Sequence, residues 1–130
     1  MSEIISLSLE QLATKIKDAQ LSSVDVCKAF IERIEKYEKD IKAWVHFDKK
    51  VLLEKAEEAD EHRRSGKPLG SLHGVPVAVK DIVGTIDMPT ECGTVIRKGK
   101  SYSQNAEIID MLHSAGALVM GKTATSELAF

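Results

Sequence analysis

The stretch Leu69-Gly70-Ser71-Leu72-His73-Gly74-Val75-Pro76-Val77-Ala78-Val79-Lys80-Asp81-Ile82 decides how this chain is read. It opens as a loop punctuated by glycine and becomes a short, valine-rich apolar run. Such a run between turn residues predicts a strand over 75–83, buried on both faces. Lys80 then stands where the apolar pattern should continue. An ammonium buried without a partner is costly, so the group either reaches water along its stem or gives up its proton. A lysine that gives up its proton is a base. Asp81 is the adjacent counter-ion, but neighbouring strand residues point to opposite faces, which weakens a simple ion pair. At this level both readings of Lys80 stand.

Downstream, residues 84–93 carry glycine and proline without regular spacing, as functional loops often do. From about Asn105, the spacing of Ile108, Ile109, Leu112 and Ala115 predicts a helix, with Gly116 at its C′ position. Residues 117–120 form a second apolar strand. Strand, helix, strand implies a parallel pair joined by a right-handed crossover. Residues 116–123, Gly-Ala-Leu-Val-Met-Gly-Lys-Thr, also match the phosphate-loop pattern letter for letter. The context is wrong for it. The first glycine ends a helix instead of following a strand, and the middle residues are themselves strand-like, so their amides face a sheet. Gly116 is read as a cap, Gly121 as a turn, and Lys122 as surface or packing.

Upstream, Ser8-Leu9-Glu10-Gln11 has the form of a capping box, and Leu9, Leu12, Ala13 and Ile16 follow the helical spacing. Ser22 and Ser23 offer the next cap, for a helix with Val26, Cys27, Phe30, Ile31, Ile34 and Tyr37 on one face. Residues 43–47 are aromatic and β-branched, hence extended. Asp48 caps a third helix that turns Val51, Leu52, Ala56 and Ala59 inward and ends at Gly66 and Pro68. Glu57, Glu58, Asp60 and Glu61 read as a solvated face. His46, His62, His73 and His113 lack metal-ligand spacing, and His73 is expected to be a loop hydrogen-bonder.

With 130 residues, 43% hydrophobic and 29% charged, and a net charge of −2, the composition is that of a globular domain. A near-balanced charge gives no nucleic-acid footprint. No apolar run spans a bilayer, and the N-terminus lacks the form of a secretory signal. Cys27 and Cys92 are too few for a disulfide framework, which fits a reduced cytoplasmic setting. Cys27 is assigned to the core. Two parallel strands are not a stable sheet, so the chain reads as the opening part of a larger α/β domain.

Gly70 through Asp81, then Met88-Pro89-Thr90 and Gly93, resemble the start of the amidase signature family. Ala115 through Thr123, followed by Glu127-Leu128-Ala129-Phe130, is similar to the segment that the family places before its Gly/Ser-rich signature. The resemblance implies an α/β fold: N-terminal helices, then the first parallel strand–helix–strand unit of a larger mixed sheet covered by helices. Residues 1–66 would be the helical lead-in and 67–130 the start of the α/β core of one domain whose remainder lies outside this sequence. It also implies an amide hydrolase with a Ser–cis-Ser–Lys triad, in which Lys80 matches the catalytic lysine and no cofactor or metal takes part. The paired serines match no position of this sequence, so residues 1–130 alone are expected to be inactive and prone to associate through open sheet edges. The 88–93 loop and the segment around Ser126 are expected beside the substrate. The implied partners are a small-molecule amide and the rest of the domain, with no nucleic acid bound directly and no membrane; a homodimer stays open. Two rival readings remain: an amidotransferase A-type subunit that hydrolyses glutamine, and a non-catalytic stand-alone fragment.

Overall fold

The computed structural model describes residues 3–130. Helix α1 (Leu9–Lys17) starts as its capping box dictates: the Ser8 hydroxyl accepts from the Gln11 amide at 3.2 Å, and the Gln11 side chain accepts from the Ser8 amide at 2.8 Å. Helix α2 (Ser23–Ile41) is capped by the Ser22 hydroxyl. It stops at Lys42, whose left-handed backbone turns the chain, while the Glu38 carboxylate accepts from the Ala43 and Trp44 amides. Strand β1 (Trp44–Phe47) follows at once. Helix α3 (Lys49–Arg64) begins where the Asp48 carboxylate accepts from the Lys50 and Val51 amides. Strand β2 spans Pro76–Lys80, helix α4 Glu107–Ser114 and strand β3 Leu118–Thr123, with Gly116 at positive φ after α4.

The sheet order is β1-β3-β2, with β2 parallel to β3 and β1 antiparallel to it. The segment read as extended over 43–47 supplies the third strand and makes the sheet mixed. Helices α2 and α3 pack on one face of β3 through Cys27, Ile31, Leu52, Ala56, Leu118 and Met120. Helix α4 packs on the other through Val79, Ile109 and Val119. A third cluster ties α1 and α2 to Val75, at the entrance to β2, through Leu12, Ile16 and Val26. Burial of these side chains is the main favourable term holding the layers together.

Several expectations need correction. Strand β2 is shorter than 75–83, and only Val79 within it is buried, because one of its faces is open. Val51 faces solvent. Asp60 is not on a solvated face: it is 3% exposed, and its carboxylate accepts from the Ser23 and Val24 amides at 2.8 and 3.1 Å. Helix α3 thereby caps the first turn of α2, on top of the local serine cap. Gly121 makes no turn; it lies inside β3, where a Cβ would collide with the His46 carbonyl oxygen and the Trp44 ring.

Candidate active site

The parallel strands β2 and β3 end together, at Lys80 and Thr123. In open α/β sheets, ligands bind beyond the carboxyl ends of such strands. What sits there is the 81–93 loop, folded back against β3. Asp81 is fully buried, and its carboxylate accepts from the Glu91 amide at 3.2 and 3.3 Å. Its main chain is held on both sides: the Asp81 amide donates to the Thr123 carbonyl, and the Asp81 carbonyl accepts from the Cys92 amide, both at 2.9 Å. The loop then turns through Cys92 and Gly93, both at positive φ. A Cβ at Gly93 would come within 2.7 Å of the Thr125 carbonyl oxygen, so the 92–94 turn presses against the 124–126 segment in a way that excludes a side chain.

Beside this turn lies a shallow depression lined by Asp81, Glu91, Gly93, Thr94, Ala124 and Thr125. His46 Nε2 stands 3.3 Å from Glu91 Oε2 at its edge. The Gly99 amide, donating to Glu91 at 2.7 Å, and the nearby His46 hold the Glu91 carboxyl below its usual range, against a smaller opposing effect of burial. The 92–94 turn and the 124–126 segment lie directly against each other.

Lys80 caps the end of β2 with its side chain exposed. Its amine has no hydrogen bond or ion pair among the described residues. Strand alternation sends it to the face opposite Val79, the face on which Pro76 and Ala78 lie open. There an apolar trough, lined by Phe30, Ile34, Trp44, Pro76, Ala78 and Met120, runs along the sheet. The desolvation expected of a strand buried on both faces is thus missing within residues 3–130, because β2 has β3 on one side and no cover on this face.

The buried lysine is Lys122, 0% exposed. Its ammonium donates to the Val83 carbonyl at 2.7 Å, the Thr90 hydroxyl at 2.6 Å and the Pro89 carbonyl at 3.3 Å. Burial pushes its pKa below the ordinary lysine value, and the negative charge of Asp81 and Asp87 offsets part of that push. Spacing alone leaves Lys122 as surface or packing. The missed signal is a β-bulge: Val77 pairs with Val119 but Ala78 pairs with Gly121, so Met120 is an extra residue on β3. A bulge reverses the side-chain alternation beyond it. Lys122 therefore shares the face of Val79 and reaches under the loop.

The remaining candidates have ordinary roles. Residues 118–123 are strand, so the phosphate-loop pattern forms no cradle. His73 is buried and its Nε2 lies 2.8 Å from the Ala59 carbonyl, as a loop hydrogen-bonder should. His62 bonds the Pro68 carbonyl, and no group of three or more His, Cys, Asp or Glu among the described residues could hold a metal ion. Cys27 is buried in the core, and burial with the nearby Asp60 pushes its thiol up to about 12. No helix among the described residues is long and apolar enough to cross a membrane.

The family model described as Amidase matches residues 25–130. The chain is 37% identical over 129 residues to the A-type subunit of the glutamyl-tRNA(Gln) amidotransferase of Streptomyces coelicolor, an alignment covering 99% of this chain and 26% of that protein. Among solved structures, the peptide amidase from Stenotrophomonas maltophilia is similar at 29% identity and a TM-score of 0.83, covering 92% of this chain and 25% of that one. A fatty acid amide hydrolase is similar at 30% identity and a TM-score of 0.88, covering 95% of this chain and 22% of that one. The chain thus spans about a quarter of the length of the curated relatives it matches.

Proposed function

The chain belongs to the amidase signature family, and on that premise we propose that the full-length protein hydrolyses carboxamides with Lys80 as its base. Residues 1–130 then form the N-terminal part of one amidase domain and supply the lysine, while both serines come from the rest of that domain. In this scheme the neutral Lys80 amine takes a proton, through the hydroxyl of a bridging serine, from the nucleophilic serine. That serine oxygen attacks the amide carbonyl, the carbon–nitrogen bond breaks, and the proton returns to the leaving amine. Water then releases the acid from the acyl-enzyme by the same relay. Backbone amides near the nucleophile stabilise the oxyanion.

The observation that carries this reading is the position of Lys80 within the family match, at the carboxyl end of a parallel strand. The Lys80 amine makes no hydrogen bond or ion pair among the described residues, which leaves it open to a serine from the rest of the domain. The chemistry also needs a dry surrounding, which the rest of the domain supplies by covering the open face of β2. The test is Lys80→Ala in the full-length protein, assayed against simple carboxamides and glutamine. Turnover should fall by about 10³-fold or more; retained turnover removes the assignment.

A second reading is favoured by the curated relatives, since the chain is 37% identical to one component of an amidotransferase but 29–30% identical to the two hydrolases. In it the same lysine serves glutamine hydrolysis, and the ammonia passes to an acyl substrate held by a partner protein. Co-purification with a partner, together with glutaminase activity, distinguishes it from a free-standing amidase.

A further inference from the structure

The ammonium of Lys122 takes no part in the chemistry above, yet all three of its bonds end on the loop that follows Lys80. We infer that Lys122 is a positioning residue, which ties both ends of the 83–90 loop to β3 and so sets the place from which Lys80 projects. The inference rests on the role proposed for Lys80.

The connection is a continuous run of hydrogen bonds. Lys122 Nζ donates to the Val83 carbonyl, and the Val83 amide donates to the Lys80 carbonyl at 3.0 Å. The Ile82 amide bonds that same Lys80 oxygen at 2.8 Å. From the other end, Lys122 holds Pro89 and Thr90, and Thr90 in turn reaches back to the Val83 carbonyl at 3.4 Å. An ammonium has three protons to give, and the three acceptors use them all. A neutral side chain of similar length would fill the space but leave the Pro89 carbonyl without its donor and the Val83 carbonyl with only the long bond from Thr90. The cost of a buried charge is offset by the field of Asp81, itself fully buried, and of Asp87. Lys122 and Lys80 project from opposite faces of the sheet, so the coupling runs through the main chain and not through contact between the two amines.

The test uses the full-length protein. In Lys122→Met, hydrogen exchange at the Glu91 and Cys92 amides should quicken by about tenfold or more while the Leu118 amide stays protected. The kcat should fall about tenfold to a hundredfold with KM within about twofold, as expected when a reacting group is misplaced. The midpoint of the kcat–pH profile should also move by about half a unit, which a purely structural loss would not produce. Should Lys122→Met fail to fold, Thr90→Val takes its place, with the same changes at about threefold in exchange and rate. Unchanged exchange, or an unchanged pH midpoint, in the folded variant overturns the positioning role while Lys80→Ala remains inactive. Retained turnover in Lys80→Ala overturns the role of Lys80 itself, and this inference with it.

Discussion

Lys80 and Lys122 lie on adjacent strands, one residue out of register, and live in opposite surroundings. On the α4 side of the sheet, the loop after β2 folds back over Lys122, removes it from water and gives it three acceptors. On the α2 side none of the described residues folds over Lys80, and Pro76 and Ala78 share its open face. The difference shows that the lysine most removed from water is the one with a full set of partners, and the exposed one has none among the described residues. The three acceptors immobilise the Lys122 amine, while burial still works against its charged form; Lys80 makes no such bonds among the described residues. The satisfied lysine belongs to the scaffold, and the unpartnered one is the base proposed above.

That contrast can be broken in order of effect. The largest expected change is in Lys80→Ala of the full-length protein: loss of about 4 kcal/mol in transition-state stabilisation, read from kcat/KM, with the melting temperature unchanged. Lys122→Met should do the reverse first, lowering unfolding free energy by about 3 kcal/mol in a denaturant titration, because buried acceptors are left unpaired. Thr90→Val removes only one of those acceptors and should cost about 1 kcal/mol in the same titration. The smallest effect is in pH. Folding lowers the Lys122 pKa, so just below the ordinary lysine range the unfolded chain binds more protons than the folded one. Stability owed to Lys122 should therefore rise with pH through that window and level off below it, where both states are protonated. The gap in melting temperature between the unaltered protein and Lys122→Met should widen as pH climbs toward that range; a gap that narrows reverses the assigned direction.

Much of the fold is legible in the sequence because its signals are local. The Ser8 and Asp48 caps, the Gly116 terminus and most of the apolar faces of α1, α2 and α4 follow from neighbours in sequence, though Leu9, Tyr37 and Ile108 at the margins of those faces are exposed. The pairing of β1 with β3 joins residues nearly eighty positions apart, and nothing in the 43–47 segment names its partner. Asp60 escapes a local reading for the same reason, since the amides it serves belong to another helix. At the site, Lys80 is found through the stretch that contains it, but its exposure depends on cover that residues 1–130 do not provide. Lys122 is missed because one bulged residue, Met120, inverts the alternation that any period-two reading assumes.

The carboxylate of Asp60 has a kinetic corollary. The Ser23 and Val24 amides at the start of α2 find their acceptor only when the intervening turn and β1 have brought α3 against it. Residues 22–64 should therefore assemble as one cooperative hairpin during refolding, with Asp60→Asn slowing the joint step and leaving the capping of α1 untouched.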